Sequence, residues 1–251
     1  MLPLISIANL SKEYPVDKQV IRDLSFVASA GEFVSLLGAS GCGKSTLLKM
    51  IAGLSSISGG SIRIDGLAPE AAREIMSFVF QDSTLLPWRT VARNVELALE
   101  LEGVHRSLRA SRVASVLKLV GLSEVHGYYP RQLSGGMKMR VSIARALATT
   151  PRLLLMDEPF GALDAMTRNR LNEELLALKE QQQWTTLFVT HSISEAVFLS
   201  DRLILMGSNP GCVREEIAIP LPTPRTAALR NEPEFLNLVG QVGRRLATLH
   251  T

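Results

Sequence analysis

The stretch GASGCGKST, residues 38–46, sets Gly38, four further residues, then Gly43, Lys44 and Ser45 in an order suited to binding phosphate. Glycines at 38, 41 and 43 permit backbone angles that side chains forbid. The amides of the loop, Ala39, Ser40 and Cys42 included, can then turn inward around phosphate oxygens at a helix N-terminus. Lys44 is expected to reach the β- and γ-phosphates of a nucleoside triphosphate, Ser45 to ligate the accompanying Mg²⁺, and Thr46 to add a hydroxyl to the α-phosphate.

Further groups can serve the same chemistry. Asp157 and Glu158 follow a buried run, Arg-Leu-Leu-Leu-Met at 152–156. Asp157 suits a partner to Mg²⁺-bound water, and Glu158 suits the base that orients and polarises the attacking water. Gln81, after the run Ser77-Phe-Val-Phe80, can turn its amide to Mg²⁺ or to that water. His191 ends the run Thr186-Leu-Phe-Val-Thr190 and can contact a γ-phosphate, although a lone histidine is more often structural. Tyr14 offers a ring face to a purine without reading the base; taken alone, a tyrosine before a proline is more often turn packing. Ser134, with Gly135 and Gly136, opens a helix and offers a second anion-binding terminus.

The elements that must place these groups alternate. Residues 32–37 read as a strand into the glycine loop, and 46–54 repeat apolar residues at helical spacing. Upstream, Ile5 and Ile7 begin a strand, a turn falls around Tyr14, Pro15, Val16 and Asp17, and a second strand covers 20–27. A short strand over 62–64 lies between Gly turns. From 90 to 149 strand-like runs give way to helices near 91–102, 108–120 and 135–148, an inserted helical subdomain. In the third of these Met137, Val141, Ala144 and Ala148 make one buried stripe. Asp164 caps a helix running to about residue 183 with Leu171, Leu175 and Leu178 inside, and Ser192 with Glu195 forms a capping box for the next. Pro220, Pro222 and Pro224 exclude regular helix, and Phe235, Val239, Val242 and Leu246 mark a terminal one.

Composition narrows the class. A chain of 251 residues with 46% hydrophobic content can bury a substantial core, and no apolar run approaches the ~20 residues that span a bilayer. Its 27 basic and 24 acidic residues are mixed along the chain, so no basic arm points to nucleic acid. The two cysteines, Cys42 and Cys212, have neither pairing nor metal-ligand spacing, which fits a reducing cytosol. The start of the chain lacks the basic and long apolar segments of a leader.

GASGCGKST, Gln81, LSGGM, LLLMDEP, GALD and His191, in that order, resemble the ATP-binding subunit of ABC transporters over residues 4 to about 210. The resemblance implies a P-loop NTPase core of α/β class with an antiparallel β subdomain and the inserted helical subdomain: core 1–89 and 150–220, helices about 90–149, tail 221–251, one ATPase domain in all. It implies ATP and Mg²⁺ as cofactors. It also implies a head-to-tail homodimer in which Ser134, Gly135, Gly136 and Met137 of one subunit close over ATP held by residues 38–46 of the other.

LLPWRTVARNV, LSGGMKMR, HSISEAVFLSDR and the Asn209-Pro-Gly stretch are similar to the nitrate, sulfonate and taurine importer group, where Met137 in place of glutamine is usual. Met139, Ser192 and Gly161 depart from residues frequent in the family, and the last two can alter rate or coupling. The loop 82–88, with Leu85, Leu86, Pro87 and Trp88, and the adjacent helical subdomain would form the groove that receives a helix of integral membrane permease subunits, and the loop could move when nucleotide arrives. Trp88 packing within its own loop is the even alternative. A substrate-binding protein, periplasmic or surface-bound, would act indirectly, the chain lying on the cytoplasmic face of a bacterial inner membrane. The competing expectation is a soluble ATPase of the same family acting on nucleic acid or ribosomes.

Overall fold

Residues 3–15, 18–161, 163–208 and 210–249 are described by a computed structural model; Val16, Asp17, Ala162 and Asn209, named in the sequence reading, lie outside them. Strands β1 (Ile5–Tyr14) and β2 (Lys18–Ala28) form an antiparallel pair. Their inner residues Ile5, Ile7, Leu10, Ile21 and Leu24 are buried. β3 (Phe33–Gly38) feeds the glycine loop and helix α1 (Lys44–Ile51). β4 (Gly59–Ile64) then joins the other side of β1, giving a sheet in the order β2-β1-β4. Gly60 is required there: at φ 80°, a Cβ would lie 2.3 Å from the Asn9 carbonyl oxygen.

β5 (Met76–Val79) leads through a loop to helices α2 (Val91–Leu101), α3 (Arg106–Leu119) and α4 (Gly135–Leu147), close to the expected three. β6 (Leu153–Asp157), α5 (Ala165–Gln182), β7 (Thr185–Val189), α6 (Ile193–Leu199) and β8 (Arg202–Gly207) follow. β9 (Cys212–Ala218), absent from the sequence reading, pairs antiparallel with β8, and α7 (Pro233–Thr248) ends the chain. The second sheet has the order β5-β6-β7-β3-β8-β9, and its pairings from β5 to β8 are parallel.

Parallel strands covered on both faces read as continuous apolar runs, and period-two alternation divides their side chains between two cores. Val34, Leu36, Leu153 and Leu155 face the antiparallel sheet and α1. Phe33, Leu37, Leu154 and Met156 face the helices. Phe188 is fully buried between Phe33 (ring centroids 5.7 Å apart) and Phe160 (6.1 Å). Replacing it by Ala should therefore destabilise the protein by about 3–5 kcal/mol in urea or thermal denaturation.

Two local expectations are corrected. In α4, Val141, Ala144 and Ala148 are buried, but Met137, on the first turn beside the exposed cap, is only half-buried. The Ser192–Glu195 capping box is half-formed. Ser192 Oγ accepts from the Glu195 amide (3.4 Å), but the Glu195 carboxylate turns inward to the Thr190 hydroxyl, because its side chain is buried.

Candidate functional site

The order β5-β6-β7-β3 sets the C-terminal ends of four parallel strands side by side, the edge at which open α/β sheets place their sites. β5 delivers Gln81, β6 delivers Asp157 and Glu158, β7 delivers Thr190 and His191, and β3 delivers the loop of residues 38–46. Asp157 lies opposite Val189, and Leu36 lies opposite Val189 on its other side, so the register is even across the edge.

The loop is shaped as expected, with one change of reason. Gly41 and Gly43 take φ 80° and 100°, which side chains resist, but Gly38 does not have a positive φ. Its requirement is space: a Cβ would lie 2.6 Å from the Met206 carbonyl oxygen and 2.9 Å from Cys42 Sγ. α1 begins on Gly43 with no side-chain cap and no acidic residue in its first turn, leaving its first amides for an anion. Lys44 is 6% exposed, and its ammonium donates to the carbonyls of Gly38 (2.8 Å) and Ala39 (2.9 Å), which holds it beneath the loop.

A cleft of about 710 Å³ opens over this loop, and its walls bring together Tyr14, Ser40, Gly41, Gly43 to Thr46, Gln81 and Glu158. Half-exposed Tyr14 stands at its rim; one face of its ring carries the Lys12 ammonium at 4.8 Å. From the cleft wall Ser45 Oγ donates to Asp157 Oδ1 (2.8 Å), a buried carboxylate that does not itself line the cleft. Burial pushes the Asp157 carboxyl above its usual range, helped by the charge of Glu158 and opposed by the Ser45 hydroxyl and by Lys49 and Lys44. Glu158 has φ 45°, a left-handed conformation uncommon outside glycine. Its amide donates to the Val189 carbonyl (2.9 Å), and its carbonyl accepts from Gly161 (3.1 Å), which together hold that conformation. Its Oε2 lies 3.1 Å from His191 Nδ1, so acid and imidazole form a contact pair in which Glu158 lines the cleft and His191 stands beyond its walls.

Residues 134–137 are outside this cleft. Ser134 caps α4, its hydroxyl accepting from the Met137 amide (3.3 Å), with Gly135 exposed beside it. The N-terminus of α4 thus stands apart from the cleft, with Ser134 and Gly135 exposed and Leu163 and Thr167 beside its glycines.

Several supporting residues escape sequence reasoning. Arg145 on α4 donates to the carbonyls of Ser83 (3.1 Å) and Thr84 (3.0 Å), tying the loop after Gln81 to that helix. Fully buried Asn94 binds the Leu86 amide (2.7 Å) and the carbonyls of Leu86, Arg89 and Thr90. Trp88, between the clamped residues Leu86 and Arg89, is 71% exposed, so it is not packed within its own loop. Gly211 lies behind the glycine loop, where a Cβ would come within 2.1 Å of the Cys42 carbonyl. The contacts of Arg145 and Gly211 join positions far apart in sequence, those of Asn94 stay within eight residues, and the stretches LLPWRTVARNV and Asn209-Pro-Gly carried a signal only through the resemblance.

Among the described residues, no group of three or more His, Cys, Asp or Glu is gathered for a metal, and no helix is long and apolar enough to cross a membrane. A cation here would rely on hydroxyl, amide, one carboxylate and the ligand's own phosphates.

Comparison with known proteins agrees with this geometry. The nitrate import ATP-binding protein NrtD of Synechocystis is 43% identical over 232 residues, 90% of this chain and 87% of its own. The aliphatic sulfonates import ATP-binding protein SsuB of Bacillus cereus is 40% identical over 250 residues, 98% of each. A dimeric ATP-binding cassette solved in a post-hydrolysis state with ADP and Pi superposes with a TM-score of 0.77 at 32% identity, covering 87% of this chain and all of that one. The profile described as ABC transporter matches residues 21–161, more than half of the chain, and with the phosphate loop, the acidic strand end and the histidine set on one sheet edge, the chain belongs to the ABC transporter family.

Proposed function

We propose that this ATPase energises import of a small anion such as nitrate, a sulfonate or taurine, working as a head-to-tail homodimer beneath integral membrane permease subunits. The observation that carries the reading is the convergence of Lys44, Ser45, Gln81, Asp157, Glu158 and His191 on one sheet edge, in a chain whose relatives are named for nitrate and sulfonate import.

In this reading Lys44 leaves its loop carbonyls for the β- and γ-phosphates, and the amides of residues 39–46 wrap the remaining oxygens. Tyr14 stacks on the purine with the ring face that Lys12 does not occupy. Ser45, Gln81 and Asp157 suit Mg²⁺: the hydroxyl and amide are neutral oxygen ligands, and Asp157, desolvated beside Ser45, gains from a nearby cation. Bound there, Mg²⁺ would neutralise charge on the β- and γ-phosphates. Glu158 accepts a proton from the attacking water, and His191 steadies both Glu158 and the γ-phosphate. Ser134, Gly135, Gly136 and Met137 of a second subunit complete the site, so hydrolysis reports closure of the dimer. The whole chain then acts as one ATPase domain on the cytoplasmic face of the membrane, with a substrate-binding protein engaged only through the permease.

Trp88, held outward beside Arg89, Arg93 and Tyr129, is the proposed anchor for the permease. Trp88→Ala should leave basal hydrolysis of the isolated chain unchanged and weaken retention on permease-bearing membranes by roughly 30-fold, the ~2 kcal/mol of an interface tryptophan. Deletion of the chain from its source cell tests the function itself. Loss of growth on one of these anions as sole nitrogen or sulfur source, restored by the wild type and not by Glu158→Gln, is the expected result. Unchanged growth on all of them, with the chain purifying on nucleic acid or ribosomes, would overturn it.

A further inference from the structure

The corner that carries His191 is held by a buried polar chain reaching from α6 through α5 to the segment beyond β9. Thr190 and Ser192 flank the histidine. The Thr190 hydroxyl accepts from the Ser192 amide (3.0 Å) and donates to Glu195 Oε2, so one side chain fixes the backbone on both sides of His191. Glu195, 4% exposed, needs further partners, because an uncovered carboxylate is costly in such a place. Asn172 on α5, fully buried, supplies one. With its carboxamide oriented by its neighbours, the nitrogen donates to Glu195 Oε1 (3.2 Å) and the oxygen accepts from Arg230 (3.3 Å).

Arg230 lies outside the ATPase motifs, in the short 3-10 turn Ala227–Asn231. Its guanidinium covers the Phe198 ring of α6 at 3.7 Å and reaches Ser194 Oγ (3.4 Å). From the same segment, buried Arg225 donates to the carbonyls of Phe198 (2.9 Å) and Ser200 (2.7 Å), closing the C-terminal end of α6. α6 spans only seven residues, too few to fix its own place, so its position depends on these clamps. Burial pushes the Glu195 carboxyl up from its usual range, opposed first by the Thr190 hydroxyl and then by Arg168, His191 and Asn172.

We propose that Glu195, Asn172 and Arg230 are positioning residues for His191, and that the segment after β9 thereby sets the geometry of the catalytic histidine without touching nucleotide. This rests on the reading of His191 as a contact of the γ-phosphate. The bonds converge on the carboxylate: the guanidinium donates to the Asn172 oxygen, the Asn172 nitrogen and the Thr190 hydroxyl both donate to Glu195, and the Thr190 oxygen accepts from the Ser192 amide.

The test compares wild type with Arg230→Met, Thr190→Val, Thr190→Ser and His191→Ala in the full chain, recording kcat and KM for Mg-ATP and the imidazole NMR signals. Arg230→Met keeps a stem over Phe198 and removes the guanidinium; Thr190→Val removes only the hydroxyl. Both should lower kcat by about five- to tenfold, the range of one lost hydrogen bond, with KM within about twofold. The His191 signal, identified by its absence from His191→Ala, should shift in both, and Thr190→Ser should behave as wild type. Wild-type kcat and an unmoved His191 signal in folded Arg230→Met overturn the proposal, and that half-exposed position decides alone should Thr190→Val not fold. Normal turnover in His191→Ala overturns the reading of the site itself, and the positioning role with it.

Discussion

A chain carrying Glu158→Gln should lose Mg-ATP hydrolysis by about 10²–10⁴-fold while its ATP-bound dimer persists. The substitution keeps the size of the side chain and a polar atom near His191 Nδ1, now 3.1 Å from Glu158 Oε2, but removes the only proton acceptor on that side chain. The left-handed backbone at Glu158 is held by Val189 and Gly161 through main-chain bonds, so the strand end should keep its shape. Neutralising a carboxylate beside a triphosphate also removes a like-charge repulsion, and ATP should bind at least as tightly as to the wild type. Phosphate release and equilibrium nucleotide binding separate the two effects. Normal turnover would remove Glu158 from the role of base.

Lys44→Met should act at the earlier step. The ammonium sits under the loop on the carbonyls of Gly38 and Ala39, buried before any ligand arrives, and its charge is poised for the β- and γ-phosphates. Charge-assisted hydrogen bonds contribute about 1.5–3 kcal/mol, so ATP affinity should fall by roughly 10- to 150-fold, with hydrolysis falling at least as far. Equilibrium dialysis with ATP measures the first quantity. Unchanged affinity in a folded variant would place the phosphates elsewhere in the cleft.

What was legible in the sequence followed local rules. The apolar runs before Gly38, before Asp157 and before His191 became β3, β6 and β7 because strands buried on both faces need no polar alternation. Asp164 and Ser134 cap α5 and α4 as their position before helical periodicity required. β9 was not legible: CVREEIA has three consecutive charged residues and pairs on one side only, an edge strand with little apolar signal.

The Ser192–Glu195 spacing reads as a capping box, and tertiary burial overrode it by offering Thr190 as a better partner for the carboxylate. Gly38 was correctly placed but for the wrong reason, since crowding by Met206 and Cys42 is a contact no local pattern records. The same holds for Arg145, whose partners Ser83 and Thr84 lie about sixty residues away, whereas the Asn94 clamp is local but closes an irregular loop that no periodicity marks.

A second copy of the chain is proposed to complete the nucleotide site, since Ser134, Gly135, Gly136 and Met137 lie outside the cleft lined by Tyr14, Lys44, Ser45, Gln81 and Glu158. The most direct measurement of that completion is the mass of Glu158→Gln in solution, by light scattering with and without ATP, alone and with Ser134→Arg added. ATP should double the mass of Glu158→Gln, and the added arginine, set on the exposed cap of α4, should abolish that doubling while ATP still binds. A chain that binds ATP and stays monomeric, or one that dimerises equally well with Ser134→Arg, would contradict the proposal.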